Sequence, residues 1–212
     1  MRKLLEFRRS PNCVKVRLGL HLKELEFEAE EMTAGDRAPL LEAANWPLVP
    51  VLIDGEVVMR DSLAILHYLD ANYRSGISLS LTDPIACKGA EHVDGEMQAA
   101  MTAMVPLVRP LMSTPAEERD PEKVAAVRQG CDSLVRPLEA ALARGPYLFS
   151  DHPTVQDLTC VGRVMALRPP AEFLAESQVW QSFSQLFHLS EEFVRVRAWC
   201  DGLLARDGLT PA

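Results

Sequence analysis

A chain of 212 residues, 48% hydrophobic and 25% charged, is long enough to bury one large core or two smaller ones. Its formal charge of −8 and isoelectric point near 5.2, with the acids spread along the chain, argue against nucleic acid or anionic lipid as the main partner, because phosphate backbones are bound by clustered Lys and Arg. No apolar stretch reaches the length of a membrane span, and Met1-Arg2-Lys3 leads straight into an apolar run too short for a signal-peptide core, which predicts a soluble, cytoplasmic protein.

In chain order, Leu4 to Phe7 reads as a strand, Val14 to Leu22 as a helix with Val16, Leu18, Leu20 and Leu22 apolar, and Glu26 to Glu30 as a second strand. Ala38 to Ala44 is a short helix that breaks before Asn45-Trp46-Pro47. Val51 to Ile53 and Val57 to Arg60 are two strands joined by Asp54-Gly55, a strong hairpin signal, and a helix follows from Ser62 to about Tyr73. The order βαβαββα is what a thioredoxin-like sheet needs: a parallel pair built through a helical crossover, with an antiparallel hairpin at the other end.

The polar, small-residue segment 75–83 reads as a linker in which Thr82 or Asp83 caps a helix beginning at Pro84. Beyond it the chain is predicted to be all helix, over 84–112, 117–143, 154–168, 171–187 and 190–206, with breaks such as Ser113-Thr114-Pro115 and Arg144-Gly145-Pro146. The organisation expected is therefore an α+β domain over 1–74, a linker over 75–83 and an all-α domain over 84–212. Thr154 with Asp157 three residues later forms an Asp variant of the capping box, a structural feature.

The five cysteines, at 13, 87, 131, 160 and 200, are odd in number and lack paired spacing, so neither a disulfide framework nor a zinc site is expected. His21, His67, His92, His152 and His188 stand apart from one another and from ligand-like acids, and no metal is expected.

Three segments carry the candidate chemistry. A helix starting near Pro11 or Asn12 turns unpaired N–H groups and the positive end of its dipole toward whatever lies beside the Ser10 hydroxyl, and an anion is favoured there. Val49-Pro50-Val51 and Asp61-Ser62 supply the other two. Singly, each has an ordinary reading, as a helix cap, an edge strand and a helix start. In order and separation, the three together resemble the cytosolic glutathione transferase family, and the Thr154 capping element, preceded by Tyr147-Leu148-Phe149, extends the resemblance over nearly the whole chain.

The resemblance implies that Ser10 matches the catalytic serine of the serine-type classes; no tyrosine occurs in the first sixty residues to suggest the tyrosine-type ones. It implies glutathione as co-substrate, contacted around Pro11, Cys13 and Leu48, with Val49 pairing to its backbone ahead of a cis Pro50, Asp61 meeting the γ-glutamyl ammonium and Ser62 the adjacent carboxylate. Leu48 stands where many members carry a Lys to the glycyl carboxylate, and Leu63 replaces an Arg found in some classes; Lys15, Arg37 and Trp46 are the residues left to compensate. A pocket for a small hydrophobic electrophile is expected along Met101, Met104, Val105 and Val108, whose Met content suits varied shapes, although such a stripe also reads as core or subunit interface. The resemblance further implies a homodimer through the two long helices. Alternatives are a non-catalytic binding protein of the same fold, as among stress-associated relatives, and a thiol reductase using Cys13, for which the chain lacks a Cys-x-x-Cys pair.

Overall fold

The computed structural model describes residues 1–33 and 35–210. Its sheet is built around β1 (Arg2–Glu6), which pairs in parallel with β2 (Phe27–Glu31) and antiparallel with β3 (Val51–Asp54); β4 (Val57–Arg60) closes the hairpin, giving the order β2-β1-β3-β4. Three helices complete this part: α1 (Pro11–Leu22), α2 (Ala38–Ala44) and α3 (Ser62–Asn72). The thioredoxin-like βαβαββα expectation is met.

Consecutive residues of a strand point to opposite faces, and Leu4 and Leu5 show it. Leu4 packs with Val16 and Leu20 of α1, Leu52 of β3, and Ile65 and Leu69 of α3, whereas Leu5 packs on the other face with Met32, Leu40 of α2 and Val51. At Gly19 a Cβ would come within 2.2 Å of Leu66 Cδ2, so a side chain there would require the Leu66 side chain to shift between α1 and α3.

One boundary differs from expectation by more than one residue, and of the two readings of the first helix's start the one near Pro11 is met. The first strand begins at Arg2 rather than Leu4, because Arg2 and Lys3 are paired on both sides, to Phe27 and Glu28 of β2 and to Asp54 and Ile53 of β3. The first helix begins at Pro11, three residues before the apolar periodicity starts, since proline's fixed φ and missing N–H suit the first helical position.

The chain divides into two compact units, Met1–Ser80 with Pro153–Gly162, and Leu81–His152 with Arg163 onward. The second piece of the first unit is the start of α6 (Val155–Val164), and it is tied in twice. The Val155 N–H donates to the Leu79 carbonyl at 2.8 Å, and the fully buried Asp157 accepts from the Thr154 N–H and hydroxyl at 3.0 and 2.9 Å. Gly162 completes the fit, because a Cβ there would lie 3.1 Å from the Pro11 carbonyl oxygen.

The second unit contains α4 (Pro84–Met112), α5 (Pro121–Ala141), α7 (Ala171–Glu176), α8 (Gln178–Leu186) and α9 (Val194–Leu204). The predicted helix 171–187 breaks at Ser177, whose extended backbone ends α7 and whose hydroxyl accepts from the Trp180 N–H to start α8. The expected 117–143 segment becomes three pieces, with short 3₁₀ turns at Ala116–Glu118 and Leu142–Arg144 flanking α5. Among the described residues no helix is long and apolar enough to cross a membrane.

Candidate functional site

Sheet register alone gathers the three candidate segments. Leu5 of β1 is paired to Val51 of β3, and Val51 to Arg60 of β4, so these residues form one row across the sheet. Just past that row the chain runs into the Phe7–Ser10 turn from β1, leads in through Val49-Pro50 to β3, and leaves β4 for Asp61-Ser62. The N-termini of α1 and α3 therefore open at the same end, and Ser62 Oγ donates to Asn12 Oδ1 at 3.4 Å. Two helix dipoles turn their positive ends toward one locus, which favours an anion.

Ser10 is the N-cap of α1 in backbone conformation (φ −74°, ψ 126°), yet its side chain accepts no capping bond. Its carbonyl takes the Cys13 and Val14 N–H groups at 2.9 and 3.0 Å, and its own N–H donates to the Phe7 carbonyl at 2.8 Å. The main chain is thus fixed while the half-buried hydroxyl stays out of the cap. A buried ion pair braces the turn from beneath. Arg17 Nη1 is bonded to the Glu6 carboxylate, and Arg17 Nη2 donates to the Arg8 carbonyl at 3.0 Å.

Cys13 is fully buried. Burial pushes its thiol up to about 12, outweighing the opposing pull of hydrogen bonds from the Ser10 side chain and the Phe7 backbone. At neutral pH it is a protonated thiol. All five cysteines are free.

The Val49–Pro50 peptide bond is cis, and Val49 lies outside the β1·β3 ladder, whose last pair is Leu5·Val51. Asp61 sits at φ 70°, a region that disfavours a side chain, and one carboxylate oxygen, Oδ1, caps α3 by accepting from Leu63 and Ala64 at 3.0 and 2.9 Å. Asp61 is exposed and Ser62 is buried beneath it. Leu48 is 54% exposed.

Of the residues left to compensate for Leu48, Lys15 is buried, Trp46 lies under the Arg60 guanidinium at 4.7 Å, and Arg37 stacks on Phe7 at 5.1 Å. The four electrophile-pocket candidates lie on two stripes of α4. Met104 is buried against Gly130 of α5, where a Cβ would meet its Cγ at 2.5 Å, while Met101, Val105 and Val108 occupy the more open stripe. Sequence reasoning missed Asn12, Glu6 and Arg17. The last two carry a signal in hindsight, an acid ending an apolar strand and a base within an apolar helix.

Comparison with known proteins shows the family and the fold. The family model for the glutathione S-transferase N-terminal domain matches residues 4–76. Glutathione S-transferase 3 of Zea mays is 31% identical over 171 residues, covering 76% of this chain and 77% of that one. Glutathione S-transferase GstB of Escherichia coli K12 is 32% identical over 158 residues, covering 70% and 74%. The fold matches the theta class enzyme of Xanthomonas axonopodis pv. citri, solved with glutathione bound, at a TM-score of 0.62 and 22% identity over 94% of this chain and 90% of that one.

Proposed function

The chain belongs to the glutathione S-transferase family, and on that premise we propose that it activates the thiol of glutathione at Ser10 for attack on an electrophilic carbon of a small hydrophobic substrate. A free thiol titrates near ~8.5, so little thiolate exists at neutral pH. The Ser10 hydroxyl donates to the bound sulfur, and the α1 N-terminus favours its negative charge; each unit of lowered pKa is worth about 1.4 kcal/mol. The thiol proton leaves to solvent, the sulfur lone pair forms the carbon–sulfur bond, and a leaving group departs or an enolate forms and takes up a proton.

The observation that carries this reading is a hydroxyl held at a helix N-terminus by its own backbone yet absent from the cap. Around it, the Val49 backbone pairs with the cysteinyl segment of the tripeptide. The second Asp61 oxygen meets the γ-glutamyl ammonium, and the Ser62 hydroxyl the adjacent carboxylate. Arg37, held over Phe7 beside the Ser10 turn, takes the glycyl carboxylate in place of the Lys that Leu48 replaces. The open stripe of Met101, Val105 and Val108 receives the electrophile, and the enzyme acts as a cytoplasmic homodimer in detoxification.

Calorimetric titration with glutathione, followed by assay against aryl halides, enones, peroxides and maleyl compounds, tests the reading. Binding in the micromolar to low-millimolar range that persists in Ser10→Ala while turnover is lost supports it. Equal turnover by Ser10→Ala refutes it.

A further inference from the structure

We propose that the outer edge of β2 takes an extended, basic peptide segment of another protein as a fifth strand. β2 stands at the end of the sheet order, and among the described residues no strand pairs with its outer side. The Met32 N–H donates to the Glu6 carbonyl at 2.8 Å, and this fixes which backbone groups face which way. Two-residue alternation turns the N–H and C=O groups of Glu28 and Glu30 toward β1 as well, and those of Phe27, Ala29 and Glu31 outward. These outward groups form a short row of donors and acceptors that an added strand can pair with.

Charge selects the occupant. Glu24-Leu25-Glu26-Phe27-Glu28-Ala29-Glu30-Glu31 places an acid at five of eight positions and no base. Lys3 Nζ holds Glu30 at 2.9 Å, and the Glu31 carboxylate accepts from the Arg8 N–H at 2.8 Å. Glu24, Glu26 and Glu28 are exposed and enter no ion pair among the described residues. Pairing with β2 of a second copy would set glutamates against glutamates, which is destabilising. A strand with Lys or Arg at every second position meets Glu28 and Glu30 on one face instead, and small apolar residues between them lie on the face of Phe27 and Ala29.

A cleft at the start of β2 gives the added strand an anchor. It has a volume of about 680 Å³, and its lining includes His21, Leu25 and Phe27 together with Glu24, Glu26 and Glu28. The His21 and Phe27 rings stand 5.5 Å apart between centroids. A guanidinium entering there lies against an aromatic ring and within a group of carboxylates, the surroundings that favour arginine.

The surface does not use Ser10, and its test reads the same whether or not the chain conjugates glutathione. The test is a fluorescence anisotropy titration of the full-length protein with a fluorescein-labelled heptapeptide of alternating arginine and valine, beginning and ending on arginine. Saturable binding is expected, with amide hydrogen exchange slowed at Phe27, Ala29 and Glu31. Methylating the backbone nitrogens of the valines in one peptide, and of the inner arginines in another, should cost at least about tenfold in one of the two and little in the other, because only one set of N–H groups faces β2. Glu26→Gln with Glu28→Gln is expected to weaken binding about tenfold with the melting temperature unchanged, as both side chains are exposed. No saturable binding, unslowed exchange at the three amides, equal affinity of the two methylated peptides, or unchanged affinity in the double variant overturns the proposal.

Discussion

Ser62 Oγ donates to Asn12 Oδ1 across 3.4 Å, and this bond joins the first turns of the two helices whose N-termini open at the same end of the sheet. Asn12 is exposed, so its amide is free to rotate; turned to present its N–H₂, it lets the Ser62 hydroxyl point at a ligand carboxylate. Asn12→Ala is expected to raise the dissociation constant for glutathione about three- to tenfold, the scale of one hydrogen bond, with turnover at saturating glutathione within about twofold of the native enzyme. Calorimetry and a kcat-against-KM comparison check this. A fall in kcat with KM unchanged would contradict it.

Arg37 is assigned the glycyl carboxylate, so Arg37→Ala should raise KM for glutathione about ten- to a hundredfold, the scale of a charge-assisted hydrogen bond. Steady-state kinetics with glutathione varied checks this, and an unchanged KM would remove the assignment.

The Glu6 and Arg17 side chains are 4% and 8% exposed and pair beneath the Ser10 turn. Removing one partner leaves a buried charge uncompensated, so Arg17→Met is expected to cost about 3–5 kcal/mol of stability in urea unfolding. Replacing both, as Glu6→Leu with Arg17→Met, should recover part of that loss.

Cys13 is fully buried and its thiol is held up to about 12, and Cys200, 1% exposed, is likewise pushed up to about 12 by burial. In the native protein at about one pH unit below an ordinary thiol pKa, iodoacetamide should modify the half-buried Cys87 first and leave Cys13 unmodified until unfolding. Peptide mapping of the labelled chain reads the order. Because both thiols are raised in the folded state, the stability they contribute is complete below the ordinary thiol range and is lost as pH rises toward about 12.

Lys23 Nζ pairs with Asp70 Oδ1 at 3.2 Å and donates to the Ile77 carbonyl at 3.0 Å, pinning the segment after α3. Burial raises the Asp70 carboxyl, but hydrogen bonds from the Ser80 hydroxyl, the Leu79 N–H and Lys23 together outweigh it and hold it below the usual carboxylate value. A depressed carboxyl stabilises the fold above its unfolded pKa of about 3.9, and that contribution is lost as pH falls through the lower folded value. Asp70→Asn should therefore be less stable at neutral pH and show a flatter acid limb in a melting-temperature profile.

Much of this architecture is legible in the chain because local pattern and tertiary requirement agree. Leu4-Leu5 marks a strand buried on both faces, Asp54-Gly55 a hairpin, and Pro11 a helix start. Ser10, Pro50 and Asp61 belong to different elements, and their convergence follows from register, Leu5·Val51·Arg60, which sequence order suggests but does not measure. Asn12, Glu6 and Arg17 were missed because their roles arise from pairing across elements rather than from neighbours in sequence. The Ser177 break has a purely local signal, a serine hydroxyl that restarts a helix, but apolar periodicity running through it conceals the interruption.

The central claim is that Ser10 lowers the pKa of bound glutathione's thiol, and an ultraviolet difference titration of the enzyme–glutathione complex against pH measures it directly. The account predicts a thiol titrating at least about one unit below the free value of ~8.5 in the native enzyme and returning close to it in Ser10→Ala, with glutathione still bound. A bound thiol that titrates at the same pH in both proteins would contradict it.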